Sequence, residues 1–561
     1  MPSKPSQPEP VPANADAATE SPARGRGPRP GDTVRNPLGF GRETIESIVV
    51  AFTLALLFRA FEAEAFVIPT GSMAPTLMGR HKDLLCESCR MPYRVGCSAE
   101  ADDPTRIVPA SKCPNCGLVM DLVRRRGGGV EYDPRYPSFS GDRILVNKFA
   151  YDIAEPRRWD VVVFRYPEDA KTNYIKRLIG LPGETVTIAG GDVWIARDGG
   201  TPRIARKPLA TMQAMLQCVH DSRHVSQNLL EAGWPTAWTD WSAADRGQAG
   251  WRSDDGGRSF SVDTTASGGS ATLRFRNMLP SIEQWSAVKA GEPLIGAVKG
   301  KLITDVQPYN TQPAKPHWVR DIAIEAVVES RGETGTVIFE LVDGGGRHRC
   351  EFDLKTGGAI LTPAGRDGGD QPLASTAVFG TGSWKILFAN VDDELAVFVD
   401  GLPVAFSRRV TWDEPIDASI GMEPSEIPVE PGDSTPSDLS PVGITVAEAN
   451  VRVGDLRVLR DVHYLAIESG SRSGEFAERP RIDFPLESGQ YFVLGDNSAA
   501  SKDSRLWNDG HHVDRHLLIG KAMLVFWPHA VPASWAVPVK IAGVELRLPS
   551  WPNFARMRFV R

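Results

Sequence analysis

The sequence predicts a mainly β protein built from several folded units, and three observations carry that prediction. Gly141-Asp-Arg-Ile-Leu-Val-Asn-Lys-Phe-Ala-Tyr151 and Trp159-Asp-Val-Val-Val-Phe-Arg-Tyr-Pro167 alternate in polarity and are rich in β-branched residues, as strands are. Over residues 201–481, short candidate strands recur between glycine-rich turns, the pattern of an all-β sandwich. With 561 residues and 41% apolar content, the chain is too long for one ordinary domain and apolar enough for two or three globular cores. Its net charge of -7 is spread without a dominant block, so no nucleic-acid partner is expected.

Residues 1–43 are proline-rich and almost free of large apolar side chains, so they cannot bury enough surface to offset chain entropy and are expected to be a disordered arm. The segment that follows contains the charge-free run Ile48-Val-Val-Ala-Phe-Thr-Leu-Ala-Leu-Leu-Phe58 and is expected to form a transmembrane helix over residues 44–61. The run covers only about half of the roughly 20 residues a span needs, so Arg59 would have to snorkel to the interface. Arg24, Arg26, Arg29, Arg35 and Arg42 precede it and would hold the arm in the cytoplasm, with the remainder of the chain on the outer side and membrane lipid as a partner.

Two short stretches carry candidate chemistry. Phe66-Val-Ile-Pro-Thr-Gly-Ser-Met-Ala-Pro-Thr-Leu77 offers a serine, Ser72, in a turn bracketed by Pro69 and Gly71. Tyr174-Ile-Lys-Arg-Leu-Ile-Gly-Leu-Pro-Gly-Glu184 offers a lysine, Lys176, in an apolar strand. A serine hydroxyl needs a base, and lysine serves as one only when neutral, a state that burial favours. None of the ten histidines lies in a recognisable motif, which disfavours a Ser/His/Asp arrangement.

With Gly489-Gln-Tyr-Phe-Val-Leu-Gly-Asp-Asn-Ser-Ala-Ala-Ser-Lys-Asp-Ser-Arg505, these stretches resemble, in order and flanking residues, the boxes of bacterial type I signal peptidases. The resemblance implies a β-rich catalytic domain assembled from residues 62–78, 139–200 and 482–561, the last including a C-terminal tail. It implies Ser72 as nucleophile, Lys176 as base, and an oxyanion hole made by the Ser72 N–H and the Thr70 hydroxyl. Ser501 would hydrogen-bond and orient Lys176, and Asp503 and Arg505 would pair to hold the loop. Ser498-Ala499-Ala500 departs from the Arg-Asp-Asn common in the family, which leaves the finer contacts there open. Phe66, Ile68, Leu77, Tyr174 and Ile175 match positions lining pockets for small side chains, and Ile68 and Met73 could dip into lipid. Signal peptides of preproteins would be the substrates, with no organic cofactor. Rival readings are an inactive peptidase-like scaffold that binds surface glycans or proteins, and a self-cleaving repressor, which would need a DNA-binding helix pair that the proline-rich arm does not supply.

Two insertions remain. Residues 79–138 hold Cys86-Glu-Ser-Cys89 and Cys113-Pro-Asn-Cys116-Gly117, a spacing that suits a zinc-ribbon-like unit with structural zinc and competes with a disulfide reading in an oxidising compartment. Residues 201–481 are expected to form the sandwich, with strands in Asp321–Val328, Thr336–Val342, Trp384–Phe388 and Glu394–Val399. The segment Asp392-Asp-Glu-Leu-Ala-Val-Phe-Val-Asp-Gly-Leu-Pro-Val404 resembles concanavalin-like and laminin-G-like jelly rolls, which implies a glycan or protein ligand. Trp234, Trp238, Trp241 and Trp251 are candidates for sugar stacking or for ordinary core packing.

Overall fold

Alternating β-branched runs pair into two sheets around the serine and lysine stretches, and the insertions build two further cores beside them. The computed structural model describes residues 44–53 and 63–561, except 104, 127–128, 243–249, 267, 293–295, 297, 312–314, 366–370, 427–435, 470–475, 509, 529–537, 542–543 and 548–553. The proline-rich arm over 1–43 lies outside the described residues, as does the second half of the expected membrane segment.

The described secondary structure is mainly β, with large inserted sheets. The first sheet is antiparallel, in the order Ala63–Val67, Arg143–Asn147, Leu518–Trp527, Val161–Tyr166, Asp169–Gly180, Gln490–Leu494, Val513–Asp514. It draws on three stretches far apart in sequence. The second sheet runs Arg203–Ile204, Asp192–Arg197, Glu184–Ala189, Arg481–Pro485. Between them lies a core that includes Trp159, Ile179, Val186, Ile188, Phe484 and Phe492.

The expected transmembrane helix is not found: among the described residues no helix is long and apolar enough to cross a membrane. The described part of the segment is a helix over residues 44–53, and the strand Ala63–Val67 begins two residues beyond the expected span. Physically, the charge-free run over residues 48–58 supplies only about half of the roughly 20 apolar residues a span needs before Arg59 closes it. Ala63–Val67 pairs with Arg143–Asn147, and Glu64 lies 3.5 Å from Lys148. The single-pass topology, the outer-side location and the lipid partner that rested on the span are withdrawn with it. Ile68 and Met73, considered for lipid contact, are buried in the core beside the first sheet. Residues 1–59 and 60–561 are separate compact units.

The large insertion is a two-sheet β structure. One sheet runs Gln217–Asp221, Asn450–Arg460, Ile322–Ser330, Gly382–Val391, Glu394–Val399, Leu402–Pro403. The other runs Trp238–Asp240, Ser270–Phe275, Val442–Ala447, Thr336–Asp343, Gly346–Asp353, Gly358–Thr362, Leu373–Ser375. Their apolar faces share one core containing Phe339, Phe352, Ile386, Phe388, Val446 and Val458. Every strand of the two sheets falls between Gln217 and Arg460, whereas Arg203–Ile204 and Arg481–Pro485 belong to the second of the sheets described above. Trp234, Trp238, Trp241 and Trp251 are all buried, Trp238 and Trp251 in the sandwich core, so their rings are not free to stack sugars.

Candidate active site

Ser72 sits in the irregular turn that follows the edge strand Ala63–Val67, and Lys176 sits within Asp169–Gly180, opposite Val162 of the neighbouring strand. The fold brings their side chains together: Lys176 Nζ lies 2.8 Å from Ser72 Oγ and donates also to the Ile175 carbonyl at 3.0 Å. Lys176 is 3% exposed. Burial pushes its pKa down from 10.5 to about 8, against the opposing pull of Asp503 and Asp496. A lysine at that value is partly neutral near neutral pH and can accept a proton from the serine hydroxyl.

The serine turn is held from several sides. The Ser72 carbonyl accepts from the Asn497 backbone N–H at 3.1 Å, and the Gly71 carbonyl accepts from Asn497 Nδ2 at 3.0 Å. Downstream, Asp142 Oδ2 accepts from the Met78 N–H at 2.9 Å, while the Asp142 N–H donates to the Met78 carbonyl at 2.8 Å. Thr70 is exposed and Ser72 buried, and neither the Thr70 hydroxyl nor the Ser72 N–H has an intramolecular acceptor among the described residues.

Ser501 follows the short 3-10 turn Ser498–Ala500 and is buried. A Cβ on Gly495 would fall 2.2 Å from Ser501 Oγ and 2.4 Å from the Ser72 carbonyl oxygen, so this close approach of two chains requires glycine. The Ser501 hydroxyl is buried without a hydrogen-bond partner, and the expected bond to Lys176 is not made. Asp503 and Arg505 form a fully buried two-pronged pair, with Nε to Oδ1 and Nη2 to Oδ2 both at 2.8 Å. Asp503 also accepts from the Gly495 N–H at 3.0 Å, and Arg505 donates to the Leu465 carbonyl and the Ser498 hydroxyl.

Of the expected lining residues, Ile68, Leu77 and Ile175 share a core cluster, with Phe66 packed against it. Tyr174 lies in a different cluster, stacked on Tyr166 at 4.4 Å between ring centroids, and its ring lies 5.2 Å from Lys176 Nζ.

Sequence reasoning missed three contributors. Arg177, next to Lys176, forms a fully buried pair with Asp496 through bonds of 2.7 and 2.6 Å, tying the lysine strand to the last loop. Asn497, adjacent to Asp496, is an amide in a Gly-Asp-Asn turn, a residue type that bonds backbone groups, and that signal was available. The third contributor comes from the large insertion. Asn310 and Asn497 exchange amide hydrogen bonds of 2.9 and 2.7 Å, and Gln307 Nε2 donates to Asn497 Oδ1 at 2.5 Å. Tyr309 packs so closely that a Cβ on Gly71 would lie 2.0 Å from its ring, and its carbonyl accepts from the Gly96 N–H at 2.9 Å. Residues 306–310 have no strand or helix period, so nothing in the sequence marks them.

The four cysteines form a second site. Cys86 and Cys89 lie in the turn between His81–Leu85 and Pro92–Gly96, and Cys113 and Cys116 lie between Ala110–Lys112 and Val119–Asp121. All four Sγ atoms fall within 4.8 Å of one another, with Cys86–Cys116 at 3.5 Å and Cys89–Cys113 at 3.6 Å. A disulfide needs about 2 Å. A tetrahedral zinc with Zn–S bonds of about 2.3 Å places neighbouring sulfurs about 3.8 Å apart, so the thiols fit a structural metal. Cys97 is buried nearby, and burial pushes its thiol up to about 12, which leaves it inert.

Comparison with known proteins places two stretches of the chain beside one family. The family described as "Signal peptidase, peptidase S26" matches residues 133–226 and 450–527, which take in Lys176, Ser501, Asp503 and Arg505 but not Ser72. Signal peptidase I of Pseudomonas aeruginosa is 53% identical over 58 residues, covering 8% of this chain and 20% of that one. Signal peptidase I of Rickettsia bellii is 27% identical over 153 residues, covering 27% of this chain and 38% of that one. The chain therefore spans well under two thirds of these relatives, and the matches support a relationship to the family over those stretches. Among solved structures, a Bacillus subtilis protein with a galectin-like fold is 9% identical, covering 44% of this chain and all of that one with a TM-score of 0.25. A carbohydrate-binding module, CBM66, from the same organism is 9% identical, covering 40% of this chain and 95% of that one with a TM-score of 0.21.

Proposed function

We propose, from the relationship of the matched stretches to signal peptidases, that the chain is a serine endopeptidase that removes signal peptides from exported proteins through Ser72 and Lys176. The observation that carries this reading is the 2.8 Å contact between Lys176 Nζ and Ser72 Oγ, made by a lysine that burial holds at about 8. Lys176 in its neutral form takes the Ser72 proton as Oγ attacks the scissile carbonyl carbon. The oxyanion receives hydrogen bonds from the Ser72 N–H and the Thr70 hydroxyl. Collapse breaks the peptide bond, Lys176 returns the proton to the leaving amine, and the mature protein departs from an acyl-enzyme. Lys176 then takes a proton from water as the resulting hydroxide attacks the ester, and returns it to Ser72 Oγ as the signal peptide leaves with a free carboxyl end.

An extended substrate pairs with the outer edge of Ala63–Val67, whose one strand partner among the described residues is Arg143–Asn147 and which leads directly to Ser72. Phe66, Ile68, Leu77 and Ile175 form the apolar cluster that would border small side chains before the cut, with Tyr174 on the opposite face of the lysine strand from Ile175. Asp503 and Arg505 hold the loop that carries Ser501 against the Ser72 carbonyl. The catalytic body is formed from the segments near 62–78, 139–200 and 482–561, with the cysteine unit and the sandwich as insertions.

The test is cleavage of a preprotein with an alanine-x-alanine junction by wild type, Ser72→Ala and Lys176→Ala, each checked for folding. Cutting at the junction by wild type, lost in both variants, is expected. Intact preproteins with folded wild type, or normal cutting by either variant, would overturn the assignment.

A further inference from the structure

A cavity of about 1710 Å³ lies between the cysteine unit, the serine turn and the sandwich. Its wall includes Pro75 and Met78, three and six residues beyond Ser72, and Gln307, Tyr309 and Asn310, which reach Gly71 and Asn497 on their other side. It is larger than the roughly 300–1,000 Å³ of small-molecule sites, which suits a length of polymer.

The charge of the wall is one-sided. Lys112, Arg276, Lys299 and Lys301 all line it, and among the described residues none lies within ion-pair distance of a carboxylate. Glu426 is the one acidic lining residue among them. Arg276 Nε is buried without a hydrogen-bond partner. Lys301 Nζ donates to the Leu279 carbonyl at 2.7 Å, and burial, with a further contribution from nearby Lys112, holds its ammonium below its ordinary pKa. In a chain whose net charge is -7, such a concentration of unpaired cations attracts an anionic partner. Ile282 and Val306, both 63% exposed, add apolar contacts on the same wall, as a polypeptide segment needs and a sulfated glycan does not.

We propose that this cavity is an exosite for an acidic, extended segment of the protein substrate, a proposal that rests on the peptidase reading of Ser72 and Lys176. Signal peptides begin with a basic region, which this wall repels, and continue with an apolar one, which would cover the wall's cations without pairing them. The segment it fits therefore lies in the mature part, beyond the cut. The enzyme would thus favour preproteins whose mature region is acidic.

Two measurements test this on the full chain. Fluorescence anisotropy follows binding of a labelled Glu/Ser-rich peptide, a Lys/Ser-rich peptide of equal length and a heparin fragment. Cleavage is compared for two preproteins that differ only in an acidic or neutral mature segment, using wild type and Lys112→Glu/Lys299→Glu/Lys301→Glu with zinc content and circular dichroism as folding checks. Wild type is expected to bind the acidic peptide and to cleave the acidic preprotein roughly tenfold more efficiently at low salt, a ratio that falls towards one in the triple variant and in high salt. An unchanged ratio in the folded triple variant, or no acidic-peptide binding alongside normal cleavage, overturns the exosite and leaves the peptidase reading intact. Heparin binding without peptide binding makes the cavity a glycan site and also overturns it. Loss of peptide binding in the triple variant, with neither preprotein cut by wild type, upholds the cationic binding site and refutes the peptidase reading.

Discussion

Replacing Lys176 with methionine separates catalysis from stability, because the folded chain holds this amine against its solvation. The side chain is 3% exposed, and its pKa falls from 10.5 to about 8 through burial. That difference of about 2.5 units corresponds to about 3 kcal/mol of destabilisation at pH 7, where the folded protein carries a buried ammonium. Methionine fills a similar volume without the charge. It leaves the Ser72 hydroxyl without its 2.8 Å partner, at a cost of about 1 kcal/mol, so Lys176→Met should be about 2 kcal/mol more stable than wild type at pH 7. The sign with pH follows from a base whose folded pKa is depressed. Between pH 8 and 10.5 the unfolded chain binds a proton that the folded chain does not, so wild-type stability rises relative to the variant across that window. Urea unfolding of both proteins at pH 7 and pH 10 should therefore show the variant's advantage shrinking and then reversing, while its peptidase activity is absent throughout. A stability difference that is flat with pH would refute the buried-amine argument even if activity were lost. The wild-type kcat/KM should rise with pH to a plateau above about 8.

Other perturbations probe the surroundings. Asn310→Ala removes the amide pair that steadies Asn497 beneath Gly71 and Ser72, and should lower kcat by roughly tenfold with little change in KM, with Asn310→Gln restoring part of it; equal loss in both parameters would argue for general unfolding. Cys113→Ala should abolish stoichiometric zinc measured by elemental analysis and expose the cysteine unit to proteolysis, as should a strong chelator on wild type; resistance with no metal present would refute a structural metal. Burial raises Asp192 to about 8, so its folded state binds a proton that the unfolded chain releases above about 4, and stability falls as pH rises between those values. Asp192→Asn should thus be more stable than wild type at pH 8, with the gain fading towards pH 4 in thermal melts.

Local chemistry was legible in the sequence. The strands from Trp159 to Pro167 and from Glu394 to Val399 follow from alternation and β-branching, and the two Cys-x-x-Cys turns carry their metal geometry within four residues each. Ser72 and Lys176 were visible as residue types in distinctive surroundings, since a base that must be neutral needs apolar neighbours and the sequence around Lys176 supplies them. Hydropathy alone could not set where the apolar segment gives way to the sheet, because Ala63–Val67 keeps much of its apolar character and only pairing with Arg143–Asn147 marks it as a strand. Nor could it separate the four tryptophans into ligand-binding or core positions, a matter of what packs on the far side of each ring.

Only tertiary structure decided the support of the site. Asn497 meets Gly71 across 426 residues and Asn310 across 187, and Arg177 meets Asp496 across 319. Such contacts leave no local periodicity, because each is made by one polar side chain whose partner is chosen by the path of the chain. By itself the sequence marked which residue types are suited to react and which turns are suited to hold a metal. The fold determined which distant amides hold the serine turn, that the Ser501 hydroxyl lacks the bond expected for it, and that four cations share one cavity wall with no ion pair among the described residues. Short-range rules act through backbone geometry and side-chain type, whereas burial and unpaired charge are properties of a neighbourhood that exists only once the chain is folded.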